Sequence, residues 1–128
     1  MEIIDNIPPL FGLIGLIFAV IFFTLMASYS EGEDKVRKIA AKIHEGAMVF
    51  LHREYLMLCL FAVPLFAIIF FTPGLGWKTA LSFAVGAISS AAAGYIGMFA
   101  ATKANVRTTT AAQNNGAGPA LKVAFYGG

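Results

Sequence analysis

The chain has 128 residues, 59% of them hydrophobic and 12% charged. A soluble domain this short exposes a large share of its surface and cannot hide so much apolar area, so a lipid bilayer is the simplest solvent for it. The net charge of +2 is too small to point to nucleic acid, and Cys59, the single cysteine, leaves no intrachain disulfide framework or cysteine-based metal site.

The N-terminus is not built like a secretory signal. Its first charges are Glu2 and Asp5, where a signal needs Lys or Arg, and the apolar run that follows is too long for a signal's central region. That run, PLFGLIGLIFAVIFFTLMASY, carries no charge and predicts a retained transmembrane helix over about residues 9–29. At about 1.5 Å per residue it reaches roughly 30 Å, the thickness of the hydrocarbon core. Pro8 and Pro9 suit its first turn, where a missing N–H is no loss.

SEGEDKVRKIAAKIHEGAMVFLHREY follows, from Ser30 to Tyr55. Ser30 and Glu33 have the spacing of a capping box. Glu31–Lys35 and Asp34–Lys38 are i,i+4 pairs in the favourable orientation. Val36, Ile39, Ala40, Ile43, Ala47, Phe50 and Leu51 share one helical face, and Lys38, Lys42 and Glu45 share the opposite one. The expectation is an amphipathic helix before the second span, lying along the membrane interface or against other helices.

The second span is expected over about residues 55–72, in YLMLCLFAVPLFAIIFFT. Pro64 removes a hydrogen bond to the Leu60 carbonyl and predicts a kink. Cys59 reads as a small buried or lipid-facing hydrophobe. PGLGWK (Pro73–Lys78) is a turn, with Trp77 in an aromatic belt and Lys78 snorkelling to the surface. A third span is expected over about residues 79–102. TKANVRTTTAAQNNGAGP then predicts a polar loop over 103–118, with Asn114-Asn115-Gly116 as its turn signal. A fourth helix begins at about residue 119, in PALKVAFYGG, whose ten residues are too few to cross a bilayer.

Eight basic residues fall on one side of this arrangement: Lys35, Arg37, Lys38, Lys42, Arg53, Lys103, Arg107 and Lys122. Only Lys78 falls on the other. The positive-inside rule makes residues 30–54 and 103–118 cytoplasmic and the N-terminus external.

The third span is unusual in composition. Ser82, Gly86, Ser90 and Gly94 recur every four residues, and Ser89, Ala93, Gly97 and Ala101 form a second such row. Phe83 interrupts this face, and Leu81, Ile88, Tyr95, Ile96 and Phe99 occupy the other side. In lipid, small-xxx-small rows let helix backbones approach closely. The third span should therefore press this face on a helix, either a neighbour in this chain or one outside it.

No catalytic constellation stands out. His44 and His52 are about two helical turns apart, too far to share a metal without a sharp bend. His44 and Glu45 point to different sides. Arg53 and Glu54 sit where the second span meets the interface, which suits snorkelling more than catalysis. No acidic pair lies within a span, and GYIG (Gly94–Gly97) lacks the strand–loop–helix context of a phosphate loop. The expected catalytic, cofactor-binding and metal-binding residues in this chain are therefore none.

Three ordered motifs carry a family resemblance. HEGAMVFLHREY (His44–Tyr55) resembles the lead into the second helix of the membrane-integral, ion-translocating inorganic pyrophosphatases. AAAGYIGMFAATKANVRTTTAA (Ala91–Ala112) is similar to that family's third helix and its Ala-Asn-Val-Arg-Thr exit. ALKVAFYGG (Ala120–Gly128) resembles the start of its fourth. Val49 and Tyr126 depart locally, and the first span is generic.

The resemblance implies an all-α membrane protein in which residues 1–128 are the N-terminal part of a single transmembrane pump domain. The whole would be a homodimer of sixteen-helix subunits, with inner and outer rings, in a prokaryotic plasma membrane. It implies hydrolysis of inorganic pyrophosphate with Mg2+ at the cytoplasmic side, coupled to outward transport of protons or sodium ions. The family's Asp-rich substrate motifs and ion gate lie on later, inner helices, so the spans here would be outer-ring scaffold and inactive alone. The alternative is a self-contained small membrane scaffold or accessory subunit without enzymatic activity. A membrane-surface module built on the cationic helix is a third reading.

Overall fold

A computed structural model describes residues 2–128, with side chains from Ile7 onward. Its described residues form four α-helices and no strand: α1 (Glu2–Ala27), α2 (Asp34–Phe71), α3 (Gly76–Asn115) and α4 (Ala117–Gly127). The first three are long and apolar enough to cross a membrane. The described residues are all-helical, as the expected spans and the family resemblance imply.

The boundaries differ from the sequence reading in several places. First, Pro8 and Pro9 lie inside α1 rather than in its first turn. Second, the amphipathic stretch and the second span are one uninterrupted helix of 38 residues. Nothing between Asp34 and Phe71 breaks it except Pro64, which forfeits a single bond within a long ladder. Of its predicted apolar face only Leu51 is buried; Ile39, Ile43 and Phe50 are exposed.

Third, the capping box does not form. Gly32 has φ 77°, so the chain turns once more after Ser30, and α2 begins only at Asp34. The Ser30 hydroxyl accepts from the Gly32 N–H instead (3.1 Å), and the Glu33 carbonyl accepts the first helical bond, from Arg37 N–H (3.0 Å). Glu31 thus lies outside the helix and cannot make its i,i+4 pair with Lys35. Asp34 pairs with Arg37 (3.4 Å) in place of Lys38.

Fourth, the expected polar loop is helical. α3 continues through Lys103, Arg107 and the three threonines to Asn115, a helix of 40 residues. No Gly or Pro lies between Lys103 and Gly116, whose φ of 81° ends the helix. Threonine in a helix can turn its hydroxyl back on the preceding turn, as Thr109 does to the Asn105 carbonyl (2.9 Å). At about 1.5 Å per residue α2 and α3 are each nearly twice as long as a bilayer core is thick. The break at Gly116 coincides with the predicted turn signal, and Pro119 falls in the first turn of α4, where it forfeits no bond.

The residues cluster into two compact units. Unit 1 comprises Met1–Ala40 and Ala100–Gly128, and its small core joins Met26 of α1, Ala104 and Ala111 of α3, and Ala120 and Val123 of α4. Met26 and Val123 are fully buried, with Tyr29 and Tyr126 packed alongside. Phe22 stacks on Tyr126 (centroids 5.7 Å) and meets Phe125 edge-on (6.4 Å), fixing α4 against α1.

Unit 2, Ala41–Phe99, is a helical hairpin. Thr72–Leu75 turns α2 into α3, with Gly74 at φ 93°; the turn is shorter than the expected Pro73–Lys78, and Trp77 and Lys78 already belong to α3. The pairing is antiparallel: Tyr55 meets Ala91, and His44 meets Phe99 edge-on (5.5 Å). Most large apolar side chains in this unit are exposed, among them Leu60, Phe61, Val63, Ile68 and Ile88. Cys59 is exposed with them. Such a surface is stable in lipid, not in water.

Candidate functional site

The densest polar arrangement lies in unit 1, around Arg107. This side chain is only 12% exposed, so each of its donors needs a partner. Nε donates to the Tyr29 carbonyl (3.0 Å), one terminal nitrogen to the Lys103 carbonyl (2.9 Å), and the other meets Glu31 Oε1 (3.0 Å). A planar guanidinium can serve three acceptors in fixed directions; an ammonium on a flexible stem cannot hold the same fork. Glu31 is shared, since its second oxygen lies 3.6 Å from Arg37. One turn further along α3, buried Thr110 donates to the Glu31 carbonyl (3.1 Å). The Thr110 side chain also lies so close to Gly32 that a Cβ there would be only 2.4 Å from the hydroxyl oxygen. Backbone conformation and space both demand glycine at that position.

This arrangement binds protein to protein. Its carboxylate is consumed by two arginines, and the hydroxyl of Thr110 by a carbonyl. It holds the connection between α1 and α2 against α3, and it offers no nucleophile and no open metal ligand. Among the described residues no group of three or more His, Cys, Asp or Glu is placed to hold a metal ion. The acidic residues are scattered or engaged: Asp34 with Arg37, and Glu45 with Lys42 (3.3 Å). A magnesium–pyrophosphate complex needs several convergent carboxylates. The described residues do not fit that group.

The residues weighed in the sequence are dispersed. His44 is half-buried beside Phe99, and His52, Arg53, Glu54 and Cys59 are exposed. Apart from Gly94, which lies beside the Tyr55 hydroxyl, the small-residue rows of α3 do not pack on α2. Ser82, Gly86, Ser90 and Gly94 are exposed, as are Ser89, Ala93 and Gly97. A Cβ added at Gly86 or Gly97 would meet nothing within 4 Å. The more enclosed line is Ala80, Ala84, Ala87 and Ala91, which ends where Tyr55 donates to the Ala91 carbonyl. The Ser82 hydroxyl turns back to the Lys78 carbonyl (3.1 Å) and presents no free donor.

Sequence reasoning missed the Arg107–Glu31–Thr110 arrangement because its partners are more than seventy residues apart. The available signal was an arginine placed late in a stretch otherwise poor in charge. It likewise missed Tyr55, whose hydroxyl needed a carbonyl that only the hairpin brings near.

Against known proteins, a family model described as "Inorganic H+ pyrophosphatase" matches residues 13–128. The chain is 44% identical over 128 residues to a "K(+)-insensitive pyrophosphate-energized proton pump" of Methanosarcina mazei, covering all of this chain and 19% of that protein. It is 37% identical over 128 residues to "K(+)-insensitive pyrophosphate-energized proton pump 2" of Moorella thermoacetica, covering all of this chain and 18% of that protein. A "K(+)-stimulated pyrophosphate-energized sodium pump" of Thermotoga maritima is 38% identical over 117 residues, 91% of this chain and 16% of that protein. The chain thus spans less than a fifth of the length of each relative. No solved structure matches it. With a family model matched across nearly its whole length, the chain belongs to the inorganic H+ pyrophosphatase family.

Proposed function

We propose that this chain is the outer-ring scaffold portion of a membrane pump that hydrolyses inorganic pyrophosphate and couples hydrolysis to outward transport of protons or sodium ions. The observation that carries this reading is the family match over residues 13–128, reinforced by relatives whose names specify pyrophosphate-energized pumping of one ion or the other. The distribution of polar groups supports the scaffold role. Three membrane-capable helices are present, while the carboxylates needed for magnesium are scattered or engaged by basic side chains.

In the complete pump, magnesium and the catalytic carboxylates would belong to helices outside this chain, within a sixteen-helix subunit of a homodimer. The exposed Ser/Gly/Ala rows of α3 suit close approach by one of those helices. Residues 30–54 and the 103–118 stretch would face the cytoplasm of a prokaryotic cell, on the side of the pyrophosphate site, by the distribution of lysine and arginine.

Phosphate release from pyrophosphate and magnesium tests this on two proteins. The purified chain in lipid should release none. The Methanosarcina mazei relative, with its matching segment replaced by this chain, should hydrolyse pyrophosphate and acidify vesicles. Hydrolysis by the chain alone would remove the scaffold assignment. A folded, membrane-inserted chimera without activity would remove the assignment to such a pump.

A further inference from the structure

We propose that residues 28–33 are a strap whose closure and the helical extension of α3 beyond the membrane are a single coupled conformational unit, joined through Arg107 and Thr110. Neither part has the means to order itself. The α3 extension, residues 103–115, contains Asn105, Val106, three successive threonines and Asn114-Asn115, all weak helix formers. As the end of a long helix it pays no nucleation cost, but residues of such low propensity fray at a terminus without tertiary support. The strap has still less. Its two ends are tied to the flanking helices: the Ser28 and Tyr29 N–H groups donate to the Thr24 and Met26 carbonyls, and the Glu33 carbonyl accepts from Arg37. Between them, the local bond runs from Gly32 N–H to the Ser30 hydroxyl.

Each part supplies what the other lacks. The strap's tertiary hydrogen bonds among the described residues come from two side chains of α3, set three residues apart on one face. Arg107 takes the Tyr29 carbonyl and the Glu31 carboxylate, and Thr110 takes the Glu31 carbonyl. In return, the strap covers the Arg107 and Thr110 side of the extension, while Ala104 and Ala111 pack on Met26, Ala120 and Val123. Glu31 also compensates the charge of the enclosed Arg107. A favourable coupling of this kind is reciprocal: loosening either part loosens the other. The exposed Arg37 keeps a second hold on Glu31 at 3.6 Å, so an opened strap would stay near the start of α2.

Hydrogen exchange of the 128-residue chain in lipid nanodiscs tests the coupling through reciprocity. Glu31→Gln changes a strap residue and weakens its ion pair with Arg107; Thr110→Val changes an α3 residue and removes its bond to the Glu31 carbonyl while keeping the side chain's shape. In each variant, amides at 30–33 and at 105–113 should both exchange roughly ten-fold faster or more, the scale of one lost charge-assisted or buried hydrogen bond. Amides at 83–95 should stay as protected as in the parent. Arg107→Lys should behave as Glu31→Gln does. The proposal is overturned if Glu31→Gln frees 30–33 while 105–113 keeps its protection, or if Thr110→Val frees the helix and leaves the strap closed. Should Glu31→Gln lose protection throughout, the gentler Thr110→Val decides by the same two outcomes.

Discussion

Gly94 and Tyr55 offer a sharp test of how the α2–α3 hairpin is held. The Tyr55 hydroxyl donates to the Ala91 carbonyl, and an added Cβ at Gly94 would lie 3.2 Å from that hydroxyl oxygen. Two effects therefore oppose each other in Gly94→Ala. Alanine favours the helix by up to about 1 kcal/mol over glycine. The new methyl also crowds an oxygen that cannot retreat without lengthening its bond to Ala91. Interhelical hydrogen bonds in membranes are worth about 0.6 kcal/mol on average and up to about 1.7 kcal/mol. In the parent, Gly94→Ala should be neutral or destabilising by up to about 1 kcal/mol. With Tyr55→Phe the oxygen is gone, the crowding vanishes, and the same substitution should stabilise. The double-mutant cycle should thus show a coupling of about 0.6–1.7 kcal/mol, read from reversible unfolding in mixed micelles. An effect of Gly94→Ala that agrees in the two backgrounds within about 0.3 kcal/mol would refute the reasoning.

Other substitutions test the packing of unit 1 and the lipid-facing surface. A Cβ at Gly127 would lie 2.0 Å from the Ala104 Cβ, so Gly127→Ala should destabilise by about 1–3 kcal/mol, and adding Ala104→Gly should restore thermal stability. Failure of that rescue would mean α4 is seated elsewhere. Met26→Ala, at a fully buried site, should cost about 2–5 kcal/mol in the same unfolding assay. The same change at exposed Leu60 should cost far less. In sealed vesicles a lipid-facing Cys59 thiol should resist a charged thiosulfonate and react only after the protein is denatured in detergent; labelling by the charged reagent in intact vesicles would place it in water.

Much of this protein is readable from local pattern alone. A helix in lipid must satisfy its backbone internally, so uncharged runs of membrane length announce themselves without knowledge of any partner. The first three helices, a turn after Thr72 and the break at Gly116 follow from such runs and from Gly and Pro. The three ordered motifs likewise carried the family resemblance before any fold was known, and the match over residues 13–128 bears it out.

Helix ends and contacts were not readable in this way, and the polar stretch after Thr102 shows why. Its residues are permissive rather than decisive: Thr, Asn, Lys and Arg form a loop or a helix according to what surrounds them. Tertiary contacts decided for the helix, by burying Ala104, Val106, Thr110 and Ala111 and by giving Arg107 three acceptors, two of them more than seventy residues away. The same contacts drew Glu31 out of its expected pair with Lys35. The Ser/Gly rows of α3 could be read as a close-packing face, but not as one that, Gly94 apart, stays open beside α2. Periodicity specifies which residues share a side of a helix. Only the folded hairpin, with Tyr55 donating to the Ala91 carbonyl, specifies which side is already occupied.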